Sequence, residues 1–414
     1  MTLTKGYLEN PVFGIVSEVA ESIGVRAFVI GGYVRDCFLG RPSNDIDIVV
    51  EGSGIALATA VAERIKRTER HGCRVSVFKN FGTAMLKYHG TEVEFVGARK
   101  ESYHRESRKP IVEDGTLEDD QKRRDFTINA MAFSLQKEDF GALVDPFGGI
   151  RDLAAGIIRT PLEPDTTYSD DPLRMLRAIR FATKLSTPEV EFKIVQESLD
   201  AMRRMKDRMS ILSKERIAEE LNKMLLCPRP SMAFKLMDET GLLEYVLPQL
   251  GKLKGVETVD GRGHKDNFSH TLQVVDNVAR DEAAGIAAGS LMDYTPVENG
   301  DGFTESVRTA PCLWLRWAAL LHDIGRCEEY ASGKSHHEAG AELARPILLA
   351  CGYTEHECAE ICDAIGRHKA PSEQARSLAT LLYDADKQSR NCFDCPVQEQ
   401  CYWSEEKKNH TIRY

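Results

Sequence analysis

The sequence lacks the features of a membrane protein or an exported protein. No apolar run approaches the roughly 18 residues needed to cross a bilayer, and the first residues are mixed and polar. Internal repeats and low-complexity tracts are also absent. We therefore predict a globular cytoplasmic protein with no membrane partner.

An excess of basic residues is lacking as well. Lys and Arg total 54 against 64 Asp and Glu, which gives a formal net charge of −10. Binding to any polyanion would therefore depend on local basic clusters rather than on the field of the whole molecule. Such clusters occur at 99–109, 122–124 and 203–208, and each is equally compatible with ordinary solvated surface.

The cysteine count indicates the redox state of the thiols, and the chain length indicates the number of domains. Eleven cysteines without an export signal predict reduced thiols rather than a disulfide framework. A chain of 414 residues is long enough for two or three domains with ample core.

The most informative stretch lies between Ala27 and Val50. Ala27–Ile30 is a short apolar run typical of a buried strand, and Gly31 and Gly32 end it in a tight turn before a helix. Free amides at this turn, together with Arg35, predict a phosphate-binding site.

Asp45 and Asp47 follow on the next predicted strand. Strand alternation places both carboxylates on one face, where they repel each other unless a cation lies between them. Mg²⁺ is the hard divalent ion that suits such oxygen ligands. The exposed face of an edge strand is the alternative, but the preceding Gly-Gly-x-x-Arg-Asp favours a site for nucleotidyl transfer.

Periodicity predicts the remaining elements. Strands are expected at 74–78, 83–87 and 92–97, and a helix at 55–67. An apolar helix is expected after Arg124, a long loop over the polar stretch 99–122, and helices only from about Asp165 onward.

Three more segments complete a set of motifs: Arg123–Ala132, Asp145–Gly149 and Asp170–Arg177. In this order they resemble the class II tRNA nucleotidyltransferase and bacterial poly(A) polymerase family over roughly residues 10–250. The resemblance implies an α+β chain. Its polymerase-β-like nucleotidyltransferase head, a mixed sheet with helices, would occupy 1–155, and an all-helical neck and body that binds the base and the RNA would occupy 156–260.

The resemblance also implies roles for individual residues. Glu94 would be the third carboxylate beside the two aspartates, although Glu92 shares its face and spacing alone does not separate the two. The implied contacts to ribose and triphosphate are Arg124, Asp125 and Asn129. Asp125 is also compatible with a simple helix cap.

Asp171 and Arg174 lie one helical turn apart, so both side chains can form hydrogen bonds with one planar base. A carboxylate only accepts hydrogen bonds and a guanidinium only donates them, which matches the pairing edges of cytosine and adenine. The resembled family uses an Asp and an Arg at these positions in this way. Arg177 is a further nucleotide-binding candidate on the same helix, although an N-cap followed by a solvated basic stripe is the alternative.

Together these features predict template-independent addition of CCA to the tRNA 3′ end from CTP and ATP, with Mg²⁺ as cofactor. The alternatives within the family are A-only addition and poly(A) addition. A different alternative is a passive RNA-binding head attached to a working metal hydrolase.

That hydrolase is predicted from a series of histidines and aspartates in the second half of the chain. The series comprises His270, His322, Asp323, His336 or His337 (with His337 preferred), His368 and Asp386. It resembles the HD phosphohydrolase domain, expected at 261–390. The resemblance implies one divalent transition metal held by the first His, the His-Asp pair and the last Asp, and a second that the intermediate histidines can hold. Satisfied core histidines or a structural metal are the alternative.

The last residues, 391–414, carry Cys392, Cys395 and Cys401. Three cysteines at this spacing can contribute to a Zn²⁺ or Fe–S site if a fourth ligand joins them, and plain thiols are the alternative. No feature of the sequence points to a protein partner.

Overall fold

The computed structural model describes residues 5–43, 45–69, 73–79, 82–102, 111–259, 262–283, 311–370 and 377–389. The chain divides into two compact units. The first contains Met1–Ala201, and the second contains most of the residues from Met202 onward. None of the helices within these described ranges is both long enough and apolar enough to cross a membrane.

The strands of the first unit build one large sheet and two small pairs. In chain order they are β1 (Arg26–Ile30), β2 (Asp45–Glu51), β3 (Val75–Phe78), β4 (Thr83–Tyr88), β5 (Thr91–Gly97), β6 (Arg99–Ser102), β7 (Ile111–Asp114), β8 (Ala132–Ser134), β9 (Leu143–Val144), β10 (Ile157–Ile158) and β11 (Lys193–Ile194). The large sheet has the order β3-β4-β5-β2-β1-β8-β9. Within it β2 and β5 are parallel, and the other neighbouring pairs are antiparallel.

The helices of the first unit cover and extend this sheet. They are α1 (Pro11–Ile23), α2 (Gly32–Phe38), α3 (Gly54–Thr68), α4 (Leu117–Lys122), α5 (Gly149–Ala154), α6 (Pro164–Asp170), α7 (Leu173–Leu185) and α8 (Gln196–Met205). α3 buries one apolar face that includes Leu57, Val61 and Ile65. At its start, a Cβ on Gly54 would lie 2.8 Å from the Phe95 carbonyl oxygen, so glycine permits this close approach to β5.

Sequence alternation correctly predicted the sidedness of β2. Ile46 and Ile48 are buried, whereas Asp45 and Asp47 are partly exposed on the opposite face. The predicted strands at β3, β4 and β5 and the predicted helix at α3 are also confirmed. The α+β class is confirmed too, with a mixed sheet in the first unit and helices predominating in the second.

Three local predictions were wrong. The stretch 99–122 is not one loop, because β6 pairs with β7 and α4 follows with a capping box between Thr116 and Asp119. The apolar run after Arg124 forms a 3₁₀ turn, Thr127–Asn129, and then the buried strand β8. Periodicity cannot distinguish a short apolar strand from a buried helix. Strands also occur after Asp165, at β11 and in a hairpin of the second unit.

That hairpin consists of β12 (Val256–Val259) and β13 (Arg262–Asp266). The remaining described elements of the second unit are helical, namely α9 (Lys214–Leu225), α10 (Ser231–Thr240), α11 (Leu243–Val246), α12 (Pro248–Gly251), α13 (Asn267–Ala283), α14 (Pro311–Leu321), α15 (Arg326–Ser332), α16 (His336–Ala350), α17 (Glu355–Arg367) and α18 (Leu378–Gln388). Buried Trp317 of α14 donates to Asn222 of α9 at 2.7 Å, which ties these two helices together.

Candidate active sites

The first candidate site begins with the carboxylates of β2 and β5. Parallel pairing sets Asp47 beside Glu94 and Asp45 beside Glu92, so all four lie on one face of the sheet. Glu92 forms an ion pair with Lys87 at 2.8 Å. Glu94 is the in-register neighbour of Asp47, which favours it as the third ligand, and its role stays a prediction. Oxygen ligands of this kind fit a hard divalent cation.

The positively charged guanidinium of Arg124 lies at the turn after β1, on the side of the Asp47 carboxylate. Gly31 has a φ of +85°, and a Cβ added there would lie 2.8 Å from Nη1 of Arg124 and 3.3 Å from Oδ2 of Asp47. The guanidinium and the carboxylate therefore both lie against the glycine. The amide of Gly31 donates to the Met131 carbonyl at 3.2 Å, so the prediction of free turn amides is wrong at this residue.

Arg124 is held in place by a residue that sequence reasoning missed. Asp120 is completely buried and accepts a hydrogen bond from Nε of Arg124 at 3.0 Å while also pairing with Arg123. Burial would raise the pKa of Asp120, but the two guanidinium groups outweigh it and hold the pKa below its ordinary value. The i, i+3 and i, i+4 spacing on α4 was the available signal.

A buried chain of hydrogen bonds runs from the glycine turn to α7. Arg35 is 5% exposed; it donates twice to Asp36, at 2.8 and 2.9 Å, and once to Asn129 Oδ1 at 2.7 Å. Asn129 donates to Asp125 at 3.0 Å, and Asp125 also accepts from Nε of Arg177 at 2.8 Å. These hydrogen bonds orient Arg35, Asn129, Asp125 and Arg177, all of which are predicted to bind the nucleotide. Their direct contact with a nucleotide stays a prediction.

Asp125 is the most strongly perturbed carboxylate of this network. Burial opposes its ionisation, but Arg177 and the amide of Asn129 outweigh burial and lower the pKa of Asp125 to about 2. Its ordinary value is 3.8. The carboxylate therefore stabilises the fold fully above pH 4, and this contribution is lost as the pH falls toward 2.

Asp125→Asn is therefore expected to destabilise the protein by about 2 kcal/mol at neutral pH. Thermal midpoints of wild type and variant should differ at pH 7 and converge as the pH falls from 4 toward 2. Asp200→Asn, at an exposed hydrogen bond with Gln196, is the matched control and should change little. A gap between wild type and Asp125→Asn that stays constant over this pH range would contradict the assignment.

Asp171 and Arg174 lie at the start of α7, as predicted. Asp171 Oδ1 accepts from the Leu173 amide at 3.1 Å, although the N-cap residue of α7 is Pro172. Arg174 donates to the carbonyls of Thr167 and Arg123, which ties it to the loop before Arg124. Both side chains are partly exposed.

The second candidate site lies within the second unit. His270, His322 and Asp323 form a buried triad whose ligand atoms lie within 4.8 Å of one another. Nε2 of His322 is 3.5 Å from Asp323 Oδ2, and Nε2 of His270 is 3.8 Å from the same oxygen. Asp386 completes this half of the cluster, with Oδ1 2.8 Å from Nε2 of His270.

Asp323 also belongs to a second triad with His336 and His368, again within 4.8 Å. His336 is completely buried, and its Nε2 lies 3.7 Å from Asp323 Oδ1. The sequence alternative was the neighbouring His337, whose ring centroid lies 5.6 Å from that of His336. His337 is partly exposed and is not part of the triad, and its role as a ligand stays a prediction.

The Nδ1 atoms of the four clustered histidines point away from the centre, each to an oxygen 2.6 to 2.8 Å away. The partners are Ser389 Oγ for His270, the Ala319 carbonyl for His322, a Glu329 carboxylate oxygen for His336 and the Ile365 carbonyl for His368. The Ser389 hydroxyl already donates to the Asp386 carbonyl at 2.6 Å, so it accepts from His270. In His322, His336 and His368 the Nδ1 atom thus donates to its oxygen partner, and the lone pair of Nε2 faces inward.

Acceptor atoms therefore converge at the centre of the cluster. Among the described residues, Nε2 of His322, Nε2 of His336 and Oδ2 of Asp323 have no hydrogen-bond partner although they are buried. Burial also lowers the pKa of His336 to about 4 and that of His368 to about 3, so both rings are neutral near pH 7. This donor set fits one or two divalent transition-metal ions. Cys392, Cys395 and Cys401 lie outside the described residues.

Comparisons with known protein families match three parts of the chain. Residues 27–159 match the "Poly A polymerase head domain", and residues 191–253 match the "Probable RNA and SrmB-binding site of polymerase A". Residues 305–391 match the "HD domain". The three matches follow one another in the order that the sequence motifs predicted.

Individual relatives agree with these matches. The multifunctional CCA protein of Aromatoleum aromaticum is 32% identical over 86% of this chain and 77% of its own length. An A-adding tRNA nucleotidyltransferase of Aquifex aeolicus is 48% identical over 39% of this chain, but the match spans only 19% of that longer protein.

A solved structure extends the likeness to the fold. It is a tRNA nucleotidyltransferase complexed with a primer tRNA and an incoming ATP analogue, at 26% identity and a TM-score of 0.54. The match covers 86% of this chain and 100% of that one. This chain therefore belongs to the tRNA nucleotidyltransferase family that contains the multifunctional CCA proteins, as its motifs predicted.

Proposed function

We propose that this protein adds C, C and A to the 3′ end of tRNA, from CTP and ATP and without a nucleic-acid template. The observation that carries the proposal is the convergence at Gly31, where the Arg124 guanidinium and the Asp47 carboxylate lie against the same backbone turn. A cation site and a guanidinium at one point suit the triphosphate of an incoming nucleotide. Family membership supports the same reaction.

Asp45, Asp47 and Glu94 would hold Mg²⁺. When bound, Mg²⁺ neutralises the triphosphate and lowers the pKa of the attacking 3′-hydroxyl. Arg124 would contact the triphosphate, because Asp120 fixes its guanidinium beside Asp47. Positioning and charge neutralisation would supply most of the rate, as in other phosphoryl-type transfers.

Asp171 and Arg174 would read the base. Asp171 accepts and Arg174 donates, so the pair matches the exocyclic amine and the ring nitrogen of cytosine and adenine. Guanine and uracil present a carbonyl and an N–H at these positions and would be rejected. The hydrogen bonds from Arg174 to the carbonyls of Thr167 and Arg123 would fix the orientation of its guanidinium.

The test uses the purified full chain with Mg²⁺, each labelled nucleoside triphosphate in turn, and tRNA ending before C, after CC or after CCA. We expect two C additions followed by one A and then no more. Addition of A alone to CC-ended tRNA would make the protein an A-adding specialist, the activity of the Aquifex relative. An A-tail on any RNA would indicate a poly(A) polymerase.

We propose a second activity at the histidine–aspartate cluster, namely metal-dependent hydrolysis of a phosphoester at an RNA end. The inward lone pairs of His322 and His336 support it. Phosphate release from phosphomonoesters or cyclic phosphates should disappear in Asp323→Asn while nucleotide incorporation is unchanged. Hydrolysis without incorporation in the wild type would leave the head as a passive RNA-binding module.

A further inference from the structure

The two halves of the histidine–aspartate cluster differ in charge. In the half around His270 and His322, Asp386 adds a carboxylate beside Asp323 Oδ2. In the other half, Oδ1 of Asp323 accepts from Nε of Arg326 at 3.1 Å. A cation in the second half would therefore lie near a guanidinium, and one in the first half would lie near an additional carboxylate.

The carboxylate of Glu329 lies close enough to Arg326 to offset this difference in charge between the two halves. Its Oε2 is 2.8 Å from Nδ1 of His336 and 3.6 Å from Nη1 of Arg326. No sequence motif singled it out. Carboxylates that hydrogen-bond the outer nitrogen of a ligating histidine fix the tautomer and raise the basicity of the ring.

The tautomer of His336 depends on which of two groups forms a hydrogen bond with its Nδ1. Nζ of Lys369 lies 3.4 Å from the same atom. If the ammonium donated to Nδ1, the imidazole proton would move to Nε2 and occupy the lone pair that faces Asp323. The closer carboxylate of Glu329 accepts from Nδ1 instead, so it keeps the Nε2 lone pair free for a cation.

We propose that Glu329 is a positioning residue for a second divalent cation held by His336, His368 and Asp323. Glu329 does not touch the ion. It sets the protonation pattern of His336 and offsets the charge of Arg326. The inference rests on the metal-binding cluster of the proposed hydrolase, but it concerns occupancy of the second half alone and needs no turnover to be tested.

The test is a Co²⁺ titration of the metal-depleted full chain, with bound metal counted after equilibrium dialysis. Glu329→Met keeps the side-chain length and removes the acceptor, and Glu328→Met makes the same change at an exposed neighbouring position of α15. We expect the weaker Co²⁺ affinity of the cluster to fall about 10- to 100-fold in Glu329→Met and to be unchanged in Glu328→Met. The tighter affinity should be the same in both.

Two further variants make the result specific. Glu329→Gln keeps an amide oxygen that can accept from Nδ1, so it should restore part of the weaker affinity, and His270→Ala should weaken the tighter ion. Any ions bound elsewhere in the chain are common to all variants and cancel. Equal weaker affinities in Glu329→Met and Glu328→Met, or a wild-type cluster that takes only one ion, would overturn the proposal. Loss of hydrolysis with both ions bound would count against the proposed activity alone.

Discussion

Gly31→Ala is expected to abolish nucleotide incorporation. The added Cβ would lie 2.8 Å from Arg124 Nη1 and 3.3 Å from Asp47 Oδ2, so the Arg124 guanidinium, which Asp120 holds, must shift away from the turn. The φ of +85° also strains any residue other than glycine. Because small displacements of reacting groups cost about 10²-fold in rate, we expect at least that loss in kcat.

Gly40→Ala is the matched control for this effect. Gly40 also has a positive φ, +64°, but a Cβ there would meet nothing within 4 Å. Gly40→Ala therefore controls for alanine at a positive φ, although Gly31, with a ψ of −134°, carries the greater backbone strain, and only Gly31→Ala disturbs the site. Single-turnover incorporation of labelled CTP and ATP measures the difference. Equal activity in the two variants would show that the convergence over Gly31 is unimportant for the reaction.

Glu94→Gln is expected to lower incorporation by about 10²- to 10³-fold, because it removes one of the charges that would surround the reacting phosphate and its metal. Glu92→Gln should stay close to wild type. Glu92 lies on the same face two residues away, but its carboxylate pairs with the exposed Lys87, and an exposed ion pair contributes little to stability.

The comparison between these two variants decides which glutamate the site uses. Incorporation rates over a range of Mg²⁺ concentrations should show a raised metal requirement for Glu94→Gln only. The reverse pattern would assign the third carboxylate to Glu92. Hydrolysis at the histidine–aspartate cluster should be unchanged in both, since that site lies in the other unit.

Short-range features of the fold were predictable because their cause is local. The alternation of β2 and the apolar face of α3 each depend on residues within one turn or one strand. The hairpin of β6 and β7 and the strand β8 were missed because a polar stretch and a short apolar run carry no decisive period. Their pairing partners, not their own residues, select the strand conformation.

Local patterns were enough to indicate the chemistry expected of this protein. The order of the motifs predicted the family, and Asp45, Asp47, Asp171 and Asp323 made cation binding and base reading the expected roles. Which of these groups lie side by side depends on the fold. It set Glu94 rather than Glu92 beside Asp47, Arg124 over Gly31, and His336 rather than His337 beside Asp323. The physical reason is that these contacts join residues distant in sequence, and their geometry depends on strand register and helix packing, which no local pattern encodes.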